Sequence, residues 1–242
     1  MQLTYLTFLA VFLVVPLSAL LVAGAVLPER HRPATCVQVG GVVTILALAL
    51  VYTTPWDNYL IAEGVWWYGD GRILGRIWHA PLGEYLFIAL QSVLVAAWTF
   101  RLAGPVDTAV DHVRLDAAVG ALAGVAVSGV GAALLLGPLS TFYLGAILAW
   151  AGPVFAVQWA VGWRYLLRVR RRVATGVGVP TAYLCVIDWV AIQNGVWTIS
   201  SDHTTGVALA GLPIEEATFF LVTSTFVVQG LVLLRWVIER WG

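Results

Sequence analysis

Runs of about 20 mostly apolar residues recur along this chain and account for most of its length. A helix of that length crosses the hydrocarbon core of a bilayer, about 30 Å at about 1.5 Å per residue. In lipid every backbone donor and acceptor must find its partner inside the segment, so such runs fold as helices. Seven runs are read, over Thr4–Val26, Thr35–Thr53, Leu82–Leu102, Ala117–Leu136, Thr141–Val161, Val179–Asn194 and Ile214–Ile238. Only 11% of the 242 residues are charged, against about a quarter in soluble domains. That excludes an ordinary soluble domain and a disordered chain. The sequence predicts an all-α integral membrane protein of about seven transmembrane helices. The first run is longer than a signal-peptide core and has no basic leader, so it is expected to be a retained helix.

Orientation follows from the arginines, since all 13 basic residues are arginine. Arg30, Arg32, Arg101, Arg114, Arg164, Arg168, Arg170, Arg171, Arg172, Arg235 and Arg240 fall on one side of the seven-span scheme; Arg72 and Arg76 fall on the other. The excess of basic residues on the cytoplasmic side predicts a multi-pass cell-membrane protein, N-terminus outside and C-terminus inside. The run at 164–172 reads as a topology anchor. With a net charge of zero, no nucleic-acid partner is expected. Cys36 and Cys185 read as packing thiols. No loop is long enough for a soluble domain; the longest, Pro55–Pro81, is under 30 residues. Chemistry must therefore take place in the membrane or at its surface.

Two stretches of the chain resemble each other. DNYLIAEGVWWY from Asp57 matches DWVAIQNGVWTI from Asp188, and PLGEYLF from Pro81 matches PIEEATF from Pro213. Asp57 and Asp188, Gly64 and Gly195, and Trp66 and Trp197 are each 131 positions apart. After one inserted residue the spacing is 132, for Pro81 and Pro213, Glu84 and Glu216, Phe87 and Phe219, and Ser92 and Ser224. Identities at nearly one spacing, in the polar parts of the chain, signal an internal repeat. The expected division is a first repeat over 1–104, a linker with the fourth span over 105–138, and a second repeat over 139–242. An even number of crossings separates the copies, so they are parallel repeats about an axis along the membrane normal. Gly120 and Gly124, in the fourth span, read as a close helix-packing face.

Carboxylates at the mouth of a membrane helix are costly and usually functional. One Pro-x-x-Glu alone is ordinary helix-start chemistry. Here it occurs twice on one side, each time with an aspartate one span earlier. Glu84, Glu216, Glu215, Asp57 and Asp188 are the candidate catalytic residues. Glu63 matches Asn194 and breaks the symmetry, and Asp70 and Asp202 read as solvated. Trp56, Trp66, Trp67, Tyr68, Trp78, Trp189 and Trp197 crowd the same end. An interfacial aromatic belt explains some of them. Trp66 and Trp197 hold equivalent places, and aromatic faces attract cations. Burial and a neighbouring carboxylate both favour a neutral carboxyl, and a neutral acid can donate a proton. Acids in an apolar, aromatic cavity suit protonation of an alkene and stabilisation of the carbocation. His79 and His203 are weaker candidates as proton carriers.

Other chemistries lack their residues. No GxGxxG opens a helix after a strand, so no nucleotide cofactor is expected. No HExxH or paired CxxC is present, so no metal is expected. Asp107, Asp111 and Asp116 are loosely spaced and read as cap and surface residues. A retinal receptor needs a lysine for its Schiff base, and there is none.

The paired motifs, Asp57…Gly64-Val65-Trp66…Pro81-Leu82-Gly83-Glu84-Tyr85-Leu86-Phe87 and Asp188…Gly195-Val196-Trp197…Pro213-Ile214-Glu215-Glu216-Ala217-Thr218-Phe219-Phe220, resemble the membrane-integral lycopene cyclases. The resemblance covers about the whole chain and matches the fused single-chain form. It implies a cofactor-independent isomerase. Protonation at C2 of a ψ end gives a cation at C1, the C5=C6 bond attacks it, and loss of the C6 proton leaves a β ring. It also implies a lipophilic carotenoid, lycopene, as substrate, association with other carotenoid enzymes, and Trp66, Trp197, Phe87, Phe219 and Phe220 against the substrate. One departure stands out. The family usually has two adjacent acids in both motifs, and here Gly83 precedes Glu84. Alternatives are a cyclase or hydratase of a C50 carotenoid, a small proton-coupled transporter, and an assembly subunit. The sequence leaves open the ring type, the number of ends closed, which glutamate is acid and which base, and where substrate enters.

Overall fold

The structure is a computed structural model, and it describes residues 3–26, 34–102, 104–107, 109 and 114–241. Arg30, Arg32 and Asp111 lie outside the described residues. Among the described residues seven helices are long and apolar enough to cross a membrane: α1 (Tyr5–Gly24), α2 (Thr35–Ala62), α3 (Leu82–Arg101), α4 (Leu115–Leu135), α5 (Leu139–Arg168), α6 (Arg170–Gln193) and α7 (Ile214–Arg240).

Three helices outrun their apolar blocks. α2 continues past Thr53 to Ala62, through Pro55. Its 28 residues would measure about 42 Å, more than the hydrocarbon thickness of about 30 Å. The extra turns are polar and aromatic, so hydropathy does not mark them, and Pro55 removes one ladder donor without ending the helix. Asp57 therefore sits inside a helix rather than in a loop. α5 and α6 likewise run through most of the basic stretch, separated at Val169. The arginines read as a loop are largely helical.

α3 and α7 pack against each other at the centre. α1, α2 and α6 pack against α3, and α2, α5 and α6 pack against α7. Tyr5, Phe8, Val95, Ile147, Leu184 and Val228 are fully or almost fully buried in the resulting core. α4 lies along α5 on small residues. A side chain at Gly120 would run into the Trp159 carbonyl, and one at Gly124 into the Ala156 backbone, which is close glycine-mediated packing.

The loops at the carboxyl end are not purely irregular. They form three short antiparallel ribbons, an addition to the all-helical expectation. β1 (Trp66–Tyr68) pairs with β4 (Trp197–Ile199), β2 (Arg76–Ile77) with β3 (Ala80–Pro81), and β5 (Ala208–Leu209) with β6 (Leu212–Pro213). The β1–β4 ribbon joins the loops of the two halves, with Trp67 opposite Thr198 at its middle. Its flanking bonds run from Ser200 N–H to the Val65 carbonyl and from Gly69 N–H to the Val196 carbonyl, 2.8 and 3.2 Å. Gly64 and Gly195 both have positive φ, 74° and 63°. They close α2 and α6 in the left-handed conformation that glycine adopts without strain. Both ribbons before α3 and α7 turn through a non-glycine residue of positive φ, Trp78 and Ala210. Tyr52 donates to the Trp150 carbonyl at 2.8 Å, and Tyr183 donates to the Phe12 carbonyl at 2.7 Å. The latter acceptor lies in a π-helical turn, Ala10–Val14.

Candidate active site

Four helix ends and the β1–β4 ribbon close over one small cavity of about 50 Å³. α2 supplies Asp57, α3 Glu84, α6 Asp188 and α7 Glu216. Trp66, Trp197, Phe87, Phe219 and Phe220 also line it. Nine of the ten site residues named from the sequence thus face one space. Asp57, Asp188 and Glu216 are 6%, 2% and 5% exposed. Four carboxyl groups around one small cavity repel one another unless protons are shared among them.

Glu215 is turned elsewhere. Its Oε1 accepts from Thr205 N–H at 2.8 Å and Thr205 Oγ1 at 2.7 Å. Successive helical residues point about 100° apart, and here Glu215 turns to Thr205 while Glu216 faces the cavity. Glu215 secures the loop that leads into α7.

Three tyrosines went unread as site residues. Tyr5 and Tyr143 line the cavity from the N-terminal ends of α1 and α5. The Tyr5 hydroxyl donates to Glu84, and the Tyr143 hydroxyl to Glu216. Tyr68 donates to Glu84 Oε1 at 2.6 Å and accepts from Trp66 Nε1 at 2.9 Å. Burial, then the Glu84 charge, pushes the Tyr68 hydroxyl well above the ordinary tyrosine range, so it stays a donor at neutral pH. The Tyr-Leu pairs at 5–6 and 143–144 were the available signal. Their spacing is 138, not 131, and a search at one offset passes over them.

The halves differ in their hydrogen bonds. Trp66 bonds Tyr68, whereas Trp197 Nε1 donates to Asp188 Oδ1 at 2.9 Å. Ile199 stands opposite Trp66 where a second tyrosine would complete the symmetry. Glu84 is held by two phenols, while Glu216 Oε1 and Asp188 Oδ2 have no hydrogen-bond partner. Buried polar atoms without a partner call for an explanation, of which a proton or ligand handled there is one; Glu215 Oε2 and Ser224 Oγ are in the same state.

The remaining candidates fall outside the cavity. Glu63 and His79 are exposed. His203 Nδ1 hydrogen-bonds Ser200 Oγ at 2.8 Å. Asp116 pairs with Arg164 at 2.8 Å, and Asp107 with Arg168 at 3.3 Å. No metal-holding cluster of His, Cys, Asp and Glu occurs among the described residues.

Comparison with known proteins decides the family. The family model described as lycopene cyclase matches residues 2–101 and 139–233. Over 241 residues the chain is 52% identical to the lycopene beta-cyclase of Halobacterium salinarum, covering 100% of both. The chain belongs to the lycopene cyclase family.

Among fungal relatives, it is 32% identical to the bifunctional lycopene cyclase/phytoene synthase of Gibberella fujikuroi, over 86% of this chain and 37% of that protein. It is 33% identical to the Arthroderma gypseum protein of the same description, over 81% and 36%. No solved structure matches the chain. Within the lycopene cyclase family frame, the departure at Gly83 has a steric reason here. A side chain at Gly83 would run into the Tyr5 ring, so the position occupied by Glu215 in the second half is given up to the phenol that holds Glu84.

Proposed function

We propose that the chain closes the ψ ends of lycopene to β rings, yielding β-carotene, by proton transfer within the carboxyl cavity. The observation that carries this reading is the convergence of Asp57, Glu84, Asp188 and Glu216 on one small, aromatic space. Such a cavity can supply a proton, surround a carbocation with ring faces, and exclude the water that would capture it.

The inequivalence of the two halves supports one assignment of roles. Glu216, with Oε1 unpartnered, carries the proton and delivers it to C2 of the end group. The C5=C6 bond then attacks C1 and closes the ring. Glu84, fixed by Tyr68 and Tyr5, takes the C6 proton as a carboxylate. One proton leaves Glu216 and one arrives at Glu84. Exchange through Asp57 and Asp188 restores the starting state, with no net redox change. Trp66 and Trp197 face the developing cation. Glu215 acts through the fold rather than on the substrate.

The distribution of arginines supports an N-terminus outside and a C-terminus in the cytoplasm of a cell-membrane protein, with the cavity at the outer side. The division into repeats over 1–104 and 139–242, joined by 105–138, is supported by the corresponding positions of the ribbons and carboxyls. A substrate this insoluble in water favours direct association with the enzymes that make it.

The test is pigment chromatography from a lycopene-accumulating bacterial host expressing this chain. A two-ring product that disappears in Glu216→Gln supports the reading. Unchanged lycopene, with the protein confirmed in the membrane, refutes it. Full activity in Glu216→Gln with none in Glu84→Gln removes Glu216 from the proton transfer and moves the main step to Glu84 in the first motif.

A further inference from the structure

A second cavity, of about 560 Å³, lies directly inward of the carboxyl site. Its floor is α7 and part of α3, and its walls are α2 and α5. Along α7 it extends from Phe219 to Val237, a rise of about 27 Å. That is close to the hydrocarbon thickness of the membrane, about 30 Å. Leu48 and Val157, one on each wall, are 60% and 66% exposed, so the groove opens sideways to lipid. Its polar side chains direct their donors inward to the protein. Gln91 Nε2 donates to Thr223 Oγ1 at 2.6 Å, and Gln158 Nε2 donates to the Phe226 carbonyl at 2.9 Å. What remains is a long apolar trough.

The two cavities share one residue. Phe219 lines both. It stacks on Trp56 at 5.8 Å and 6°, and Trp56 stacks on Trp150 at 4.7 Å and 21°. Just there Tyr52 ties α2 to α5 through the Trp150 carbonyl. The seam between those helices is latched at the aromatic stack and open below it. The carboxyl cavity alone is too small for an isoprenoid end group, so admission of one requires Phe219 to move, which joins the two spaces.

We propose that the groove between α2 and α5 is the binding site for the body of the linear polyene and the route by which it arrives from lipid, with its end group passing Phe219 into the carboxyl cavity. This rests on the cyclase reading. The rod shape of an acyclic polyene fits a straight trough of membrane length that ends at the acids. A lipid acyl chain fits the same trough and is the competing occupant. Continuity with the carboxyl cavity through one aromatic side chain favours the polyene.

Ala49 lines the groove about halfway along α2, while Val51, on the same helix, is 76% exposed and outside it. Ala49→Trp fills the trough, and Val51→Trp makes the same chemical change facing away. With equal amounts in the membrane, kcat/KM on lycopene is expected to fall about tenfold or more in Ala49→Trp. It stays at wild-type level in Val51→Trp. A half-length polyene with the same end group is still cyclised by Ala49→Trp. Unchanged turnover in Ala49→Trp, or equal losses in both variants, overturns the proposal and leaves the groove to lipid. A second readout does not need turnover. Glu216→Gln protein purified in detergent from the lycopene-accumulating host is expected to retain the pigment, and adding Ala49→Trp to remove it. Retention of pigment in the double variant also overturns the proposal. If wild-type protein binds lycopene in this way but never cyclises it, the reaction reading fails while the groove stands.

Discussion

Tyr68→Phe removes one oxygen and nothing else, and that oxygen links Trp66 to Glu84. The lost bond is short, 2.6 Å to Glu84 Oε1. A hydrogen bond to a charged group contributes about 1.5–3 kcal/mol, and more to a carboxylate than to the neutral acid. If Glu84 receives the C6 proton, its carboxylate must be held in place when the cation forms. Loss of the bond then lowers kcat by about 10- to 150-fold. Tyr68 does not line the carboxyl cavity, so KM for lycopene changes little. The Trp66 indole N–H also loses its acceptor, which costs about 1–3 kcal/mol of stability. The assay is initial-rate cyclisation of lycopene by purified protein in liposomes, with thermal unfolding measured on the same samples. A kcat within twofold of wild type, or a raised KM with unchanged kcat, refutes the argument that Tyr68 positions Glu84.

Four further outcomes follow from the same geometry. Glu215→Gln keeps the acceptor oxygen for Thr205 and retains most activity in the lycopene assay, while Glu216→Gln loses it; equal losses would place Glu215 in the chemistry. Gly83→Glu restores the second acid of the first motif but displaces the Tyr5 ring, and it is expected to destabilise by about 1–3 kcal/mol in thermal unfolding; higher activity would contradict the steric account. Tyr143→Phe removes the donor to Glu216 and is expected to lower kcat with little change in KM, measured as for Tyr68. The Tyr68 hydroxyl holds its proton more tightly in the folded protein than in the unfolded chain, whose ordinary value is 10.0. Its contribution to stability is therefore intact below about pH 10 and is lost as pH rises beyond, and any fall in rate at lower pH must persist in Tyr68→Phe.

The sequence carried the membrane class and most of the carboxyl site because both are written in residue types that lipid makes expensive. Asp57, Glu84, Asp188 and Glu216 stand out against apolar surroundings, and their recurrence at one spacing ties them together before any contact is known. The tyrosines do not stand out. An aromatic near a membrane surface is ordinary, so Tyr68 reads as one more belt residue until its hydroxyl is found against Glu84. Glu215 is the opposite case. Its chemistry matched the site, but adjacency in sequence is divergence on a helix, and its side chain turns to Thr205. About the last two and a half turns of α2, past Thr53, were missed because hydropathy stops at the apolar boundary while the backbone hydrogen bonds continue. These differences bear on the mechanism. Residue identities at equivalent positions suggest two matching halves, yet Tyr68 has Ile199 as its counterpart, Trp66 and Trp197 choose different partners, and Gly83 stands where Glu215 does in the other half. A cavity built from two like halves but wired differently in each can hold one carboxyl as the donor and another as the acceptor. The proposed cyclisation gives a proton at C2 and takes one from C6 in the same cavity, and that asymmetry suits it.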